Sequence, residues 1–292
     1  MNPPLPHVVL DTDTFNEVDD QFALAHLLLS PETLHLDAVY AAPFFNSRSQ
    51  SPGDGMEKSY EEIHRLLDLV RPSPPPPVFR GSTRYLPADG QPVPSEAVED
   101  LIRRALALDG EKLFVLAIGA ATNIASALRA EPRIAENIHI VWLGGHGTDW
   151  PHTAEFNLRQ DPAAARTLLE SAVPLVLLPC YPVASHLITT VAELENHLEP
   201  FSALGAYLTQ IVRGYSDNRP AWSKVIWDIA ASAWMINRDW AQTHTRPCPV
   251  LTEELTWDTT PRADARTIEI AWTVDRDAIF RDFFAKAQTA GF

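Results

Sequence analysis

Alternation is the feature that most constrains this chain: short apolar runs rich in β-branched residues recur between longer stretches with helical apolar periodicity. A strand buried on both faces reads as a near-continuous apolar run, and parallel neighbours must be joined by crossovers, usually helices. The pattern therefore predicts an α/β fold, an open and mainly parallel sheet flanked by helices. Residues 7–10, 34–40, 113–118, 138–143 and 175–178 read as successive strands, with 21–30, 57–70 and 123–130 as helices between them. Residues 193–238 read as mainly helical, 267–274 alternate as a strand, and a closing helix follows. The proline-rich segment 72–77 is a surface connection, because proline fixes φ and lacks the N–H that a helix or inner strand needs. It is too short to divide domains, and with no internal repeat residues 1–292 are expected to form a single domain.

Composition narrows the partners. A net charge of −15 and a pI near 5.0 oppose a polyphosphate backbone, which is gripped by clustered Lys and Arg, so no nucleic acid polymer is expected. The chain starts MNPPLPHVVLD without a basic segment ahead of a long apolar run, and no stretch reaches the ~18 apolar residues of a membrane span. These features read as a soluble, cytoplasmic protein with no membrane partner. Cys180 and Cys248 have neither the density of a disulfide framework nor a CxxC spacing, and read as unpaired thiols.

In open parallel sheets the ligand site lies beyond the carboxyl ends of the strands. Asp11 and Asp13 follow the first predicted strand, Asn46 the second, Thr122 the third and His146 the fourth, so one crevice can hold them all. The densest signal is Asp11-Thr12-Asp13-Thr14-Phe15-Asn16-Glu17-Val18-Asp19-Asp20, five carboxylates in ten residues between strand and helix. Asp19 or Asp20 can cap the helix that follows, where the positive dipole end eases negative charge. Capping leaves Asp11 and Asp13, directly behind a buried strand, unexplained. A hard cation such as calcium or magnesium, bound through oxygen ligands, explains them.

The stretch VVLDTDTFNEVDDQFALAHLL resembles the N-terminal signature of the nucleoside hydrolases, an Asp-x-Asp, a turn, and an Asp-Asp that opens a helix. VLAIGAATNIASAL is similar to that family's Gly-x-x-Thr-Asn turn, TAEFNLRQDPAAA to its Glu-Phe-Asn and Asp-Pro segment, and VIWDIAASAW to its late Asp. The four blocks keep the family's order over about residues 8–235. The resemblance implies calcium-dependent hydrolysis of the N-glycosidic bond of ribonucleosides, with a small-molecule nucleoside as partner and a dimeric or tetrameric assembly. It implies Asp13, Asp20, Asp228 and the backbone carbonyl of Thr122 as Ca2+ ligands, and Asp13 also as the base that deprotonates water. Glu155 and Asn157 correspond to residues that bind the ribose and support an oxocarbenium-like transition state, and Asn46 to another ribose contact. Trp227 stands where pyrimidine-accepting members carry His, which resembles the purine-preferring branch.

This chain departs from the family between Asp13 and Asp20. Six residues, Thr14 to Asp19, replace the commoner four, and Phe-Asn-Glu replaces a Pro-Gly turn. The loop must bulge, Asp19 and Asp20 compete as the ligand, and Asn16 or Glu17 can add an oxygen. His146 and His152 can contact the base, deliver a proton to it, or serve as hydrogen-bonded loop residues. Ser185-His186 lacks a Gly-x-Ser-x-Gly elbow, which excludes serine catalysis of that type. Trp222, Trp227 and Trp234 fall on mostly helical sequence, where tryptophan usually fills core. Two other functions fit parts of the sequence. VVLDTDTF also fits the Asp-x-Asp of haloacid-dehalogenase-like phosphatases, with Asp11 as nucleophile and Asp13 as acid/base, although residues 175–178 run into Pro-Cys-Tyr-Pro instead of the expected Lys and paired acids. A calcium-dependent ribose or nucleoside binder without turnover is the third reading.

Overall fold

The structure, a computed structural model, describes residues 4–108, 110–217 and 220–290. In chain order its strands are β1 (His7–Thr12), β2 (His35–Ala41), β3 (Val78–Arg80), β4 (Leu113–Ala117), β5 (Ile138–Leu143), β6 (Leu175–Leu178), β7 (Ile188–Thr189), β8 (Lys224–Val225), β9 (Ala241–Pro247), β10 (Val250–Leu251), β11 (Trp257–Asp258) and β12 (Thr267–Val274). Its helices are α1 (Asp20–Leu28), α2 (Pro52–Val70), α3 (Glu96–Ala107), α4 (Thr122–Ala130), α5 (Phe156–Gln160), α6 (Pro162–Glu170), α7 (Val191–His197), α8 (Ala203–Tyr215), α9 (Ile229–Ile236) and α10 (Arg276–Gln288).

Eight strands form one sheet in the order β3-β2-β1-β4-β5-β6-β12-β9, parallel throughout except for the edge pair β12–β9. The chain builds outward from β1 to β3, then returns to place β4 on the other side of β1. That reversal makes the β1/β4 boundary a topological switch point, where adjacent loops diverge and leave a crevice. Side-chain alternation divides β1 between two cores: Val8 and Leu10 join the cluster under α1, α2, α8, α9 and α10, and Val9 joins the one under α3, α4 and α6. Burial on both faces explains why β1, β4, β5 and β6 read as unbroken apolar runs. Among the described residues no helix is long and apolar enough to cross a membrane. Cys180 and Cys248 are both free and buried.

The expected mainly parallel α/β sheet is present, with three kinds of correction. β1 runs to Thr12, past residue 10, so Asp11 belongs to the strand. α2 starts at Pro52, five residues ahead of the expected 57, because Ser51 accepts the Asp54 N–H and caps it. The stretch 193–238 is mainly helical as expected, through α7, α8 and α9, but Trp222 and Trp227 lie in the non-helical connection around β8, and of the three tryptophans only the fully buried Trp234 is on a helix. β3, α3, α5, α6 and β9 were not anticipated; β3 is three residues long, too short to show a period, and β9 mixes polar residues along an exposed edge.

One buried polar contact fixes three helices. His26 on α1 is fully buried, with Nδ1 3.1 Å from Ser232 Oγ on α9 and Nε2 2.9 Å from Asp282 Oδ2 on α10. His26→Ala strips both partners and leaves a cavity, and is expected to lower stability by roughly 2–4 kcal/mol in urea unfolding. A loss below about 0.5 kcal/mol would show that this contact does not brace the bundle.

Candidate active site

At the switch point β1 ends, and the Asp13 carbonyl accepts the Asn16 N–H at 2.7 Å, which starts the lengthened loop as a turn. The loop ends where the Asp19 carbonyl accepts the Phe22 and Ala23 N–H groups and α1 begins. Asp19 occupies the N-cap position without making a side-chain cap hydrogen bond, so helix capping does not account for its charge. Its Oδ2 accepts the Trp227 N–H at 3.2 Å, while Oδ1 is buried and unpartnered. Asp20 is the first residue of α1 and accepts a 2.5 Å hydrogen bond from Thr12 Oγ1. Asp228 comes from the far side of the chain, immediately before α9. Asp19, Asp20 and Asp228 each present an oxygen within 4.8 Å of the others.

Asp13 is fully buried, and neither of its oxygens has a hydrogen-bond partner. Gly119, at the end of β4, lets the β4–α4 turn close on it: a Cβ there would fall 3.1 Å from Asp13 Cγ. That turn carries Thr122, itself fully buried, whose Oγ1 donates to Asp161 Oδ2 at 2.7 Å. Asp11 is also fully buried, and its Oδ1 accepts from Asn123 Nδ2 at 2.7 Å. Burial and, secondarily, the neighbouring aspartates hold the Asp13 and Asp228 carboxyls well above the usual carboxylate range. Burial, with Asp19 next, pushes Asp20 up to about 8, and burial lifts Asp11 to about 7 against the Asn123 hydrogen bond.

A pocket of about 570 Å³ opens at this cluster, and Asp19 and Asp228 both line it. Asn46, His146, Glu155, Asn157 and Trp227 line it too, whereas Asp13, Asp20 and Thr122, all buried, are not among the residues that line it. Their hydrogen bonds differ from what the sequence suggests. Glu155 caps α5: Oε1 accepts the Gly145 and Leu158 N–H groups, and Oε2 accepts that of Asn157, each at 2.7 Å. Burial still raises its carboxyl to about 7. Asn157 Nδ2 donates to the carbonyls of Ile118 and Leu143, which ties the ends of β4 and β5 and leaves Oδ1 uncommitted. Asn46 is drawn into the lengthened loop, donating to Asn16 Oδ1 at 2.7 Å. Glu17 adds no oxygen to the acidic cluster; its carboxylate turns to Tyr215 and Lys224.

His146 receives the Tyr181 N–H at Nδ1 (3.3 Å), which places its ring proton on Nε2. Burial, then His152, lowers its pKa to about 4, so at neutral pH it can contact a base but is not a reservoir of protons. Tyr181 extends the wall, edge-on to Trp227 at 5.2 Å and stacked on Trp150 at 5.3 Å. Sequence reasoning missed Tyr181, although it follows β6 as directly as His146 follows β5. It also missed Lys224 and Tyr215, which lie in the stretch read as helical.

Comparison with known proteins accords with this architecture. The family described as inosine-uridine preferring nucleoside hydrolase matches residues 8–281. The chain belongs to the nucleoside hydrolase family. It is therefore an N-glycosyl hydrolase of the kind that cleaves ribonucleosides, and the phosphatase reading falls. The chain is 27% identical over 230 residues to the pyrimidine-specific ribonucleoside hydrolase RihA of Salmonella paratyphi A, covering 70% of this chain and 68% of that one. It is 39% identical over 105 residues to a putative pyrimidine-specific ribonucleoside hydrolase RihB of Shigella boydii, covering 35% and 40%. A plant nucleoside hydrolase shares its fold at TM-score 0.78 and 21% identity over 98% of this chain and 100% of that one. A purine-preferring ribonucleoside hydrolase from Gardnerella vaginalis does so at TM-score 0.73 and 21% identity, over 97% and 98%.

The raised carboxyls set a pH dependence. Between the ordinary carboxylate value and about 7 to 8, the folded chain binds more protons than the unfolded one, so stability falls as pH rises through that window. In chelator the melting temperature is expected to drop between pH 5.5 and pH 8. Calorimetry showing a flat or rising trend in chelator would contradict this electrostatic account.

Proposed function

We propose that the chain hydrolyses the N-glycosidic bond of ribonucleosides with a bound calcium ion and prefers purine nucleosides. The observation that carries this reading is Asp13, with two buried and partnerless oxygens beside the Asp19–Asp20–Asp228 cluster. Burying such charge without compensation costs several kcal/mol, and the donors are all hard oxygens of the kind calcium takes. Asp13, Asp20, Asp228 and the Thr122 backbone carbonyl would hold the ion, leaving Asp19, with its free oxygen at the pocket, for the ribose hydroxyls. When bound, such an ion lowers the pKa of water and supplies positive charge close to the ribose.

The chain's own residues then divide the work. Asp13 accepts the proton of the water that adds to the anomeric carbon. Asn157, anchored through Nδ2, offers Oδ1 to the ribose as positive charge develops on the ring. Glu155 acts as a positioning residue, holding the Gly145 turn and the start of α5 through its three backbone hydrogen bonds. Trp227 presents an aromatic surface against which the base can stack, braced edge-on by Tyr181. The main sheet takes strands from near both ends of the chain, which supports reading residues 1–292 as one domain.

Incubation with a panel of purine and pyrimidine ribonucleosides, with and without chelator, tests the reading through free ribose. Ribose release that calcium restores is the expected result; tight binding of nucleosides without release would instead identify a binder. Asp13→Asn is expected to lower turnover by at least ~10²–10⁴-fold, and Asp11→Asn by less. The reverse ranking would remove Asp13 as the base. Trp227→Ala should penalise inosine and guanosine more than p-nitrophenyl riboside, whose leaving group needs no proton. An equal loss on both substrate types, together with a lower melting temperature, would reduce Trp227 to packing.

A further inference from the structure

The lengthened loop brings a charged side chain into the pocket. Glu17, on the loop's outer turn, is held by two donors: the Tyr215 hydroxyl bonds Oε1, and Lys224 Nζ lies 3.1 Å from Oε2. The Lys224 side chain is only 4% exposed and lies beneath, whereas Glu17, 28% exposed, and the exposed Tyr215 both line the pocket. Lys224 is further fixed by its own bond to the Val225 carbonyl at 2.6 Å and by the Tyr215 ring at 5.2 Å. On the other flank Arg48 donates to the Glu17 carbonyl at 2.6 Å and covers the Phe15 ring at 4.5 Å. The loop is thus clamped on both sides, and Glu17 cannot swing away without breaking a buried ion pair.

Glu17 also lies on the side of the pocket where the base is placed. Trp227, the proposed stacking wall, is tied through its backbone to Asp19, two residues along the same loop, and Glu17, Tyr215 and Trp227 line one pocket. A carboxylate has about four lone-pair positions, two per oxygen. Tyr215 and Lys224 occupy one on each oxygen, leaving a matched outward pair. We propose that Glu17 is a specificity-determining residue that reads the leaving base and selects guanine. Guanine presents adjacent N1–H and N2–H donors, which match two carboxylate oxygens. Hypoxanthine presents only the N1–H, adenine an acceptor at N1, and uracil an N3–H between two carbonyls that repel a carboxylate. Charge-assisted hydrogen bonds of this type are the stronger ones, and a site built for an N–H donor discriminates against the analogue that lacks it.

This inference rests on the nucleoside-cleaving reading and is tested separately from it. The values of kcat/KM are measured for guanosine, inosine and 1-methylguanosine with the wild-type protein and with Glu17→Gln, and the affinities of all three by calorimetry. Wild type is expected to favour guanosine over inosine and over 1-methylguanosine by about tenfold or more, the order of one charge-assisted hydrogen bond. In Glu17→Gln guanosine should fall towards inosine, so that the ratio collapses. A wild-type ratio near one, or a ratio retained in the variant, would overturn the assignment. The substrate analogues test it on unmutated protein even if the variant folds poorly. Absence of ribose release would overturn the hydrolytic reading alone, since the calorimetric ratio still decides whether Glu17 reads guanine.

Discussion

Carboxylates that repel one another are buried together at the end of β1 and the starts of α1 and α9, and the rest of the site is arranged around that conflict. The opposing electrostatics come from helix N-termini: α1, α4 and α9 all begin at the crevice. A helix terminus contributes about 0.3–1 kcal/mol at an exposed position, and up to ~2 kcal/mol when partly buried. An unpaired buried carboxylate costs several kcal/mol, and at least four such groups meet here, so the dipoles cannot neutralise them. The fold tolerates the conflict by making it rigid. Asp11 and Thr12 are strand residues, Asp20 is locked by Thr12, and the His26–Ser232 contact fixes the helix that Asp20 starts against the one that Asp228 precedes. Charges that cannot separate provide a standing attraction for a divalent cation.

Most of this frame was legible because it rests on buried parallel strands, whose apolar runs are visible in one dimension. β5, β6 and β12 fall at the residues the pattern indicates. The edges were harder to read. β9 pairs antiparallel at the sheet margin, where exposure removes the apolar signal, and Lys224 and Tyr215 acquire their roles only when β8 folds back beneath the acidic loop. Asp19 was legible as either a helix cap or a rival to Asp20 as ligand, and the structure shows that it makes no side-chain cap and presents an oxygen within 4.8 Å of those of Asp20 and Asp228. Glu155 shows the opposite limit. Its place in a motif suggests a substrate contact, and the structure adds a structural role, with three backbone N–H groups bound to its two oxygens.

The lengthened loop changes what the pocket can distinguish. A shorter Pro-Gly turn would supply the aspartates and little else. Here the additional chain extends far enough to place Asn16 and Glu17 on the pocket wall, at the expense of an otherwise unsatisfied anion that Lys224 and Tyr215 compensate. Lys224 lies 3.1 Å from Glu17 and 4.0 Å from Asp19, so its removal would leave the two carboxylates to repel each other, and the loop and its cation form one unit.

Departure of the base is where these constraints meet. A leaving base carries negative charge that a proton, a hydrogen bond or a polarisable surface must absorb. His146 is kept neutral by burial and by His152, and an indole N–H is too weak an acid to replace it. The wall left to the base is aromatic, formed by Trp227 and Tyr181 with Trp150 stacked behind. Such a wall suits a large flat leaving group, whose face it can cover and whose charge spreads over two rings. A small pyrimidine gains less from the same surface. Under the purine preference proposed above, the aromatic wall and the neutral histidine act in the same direction.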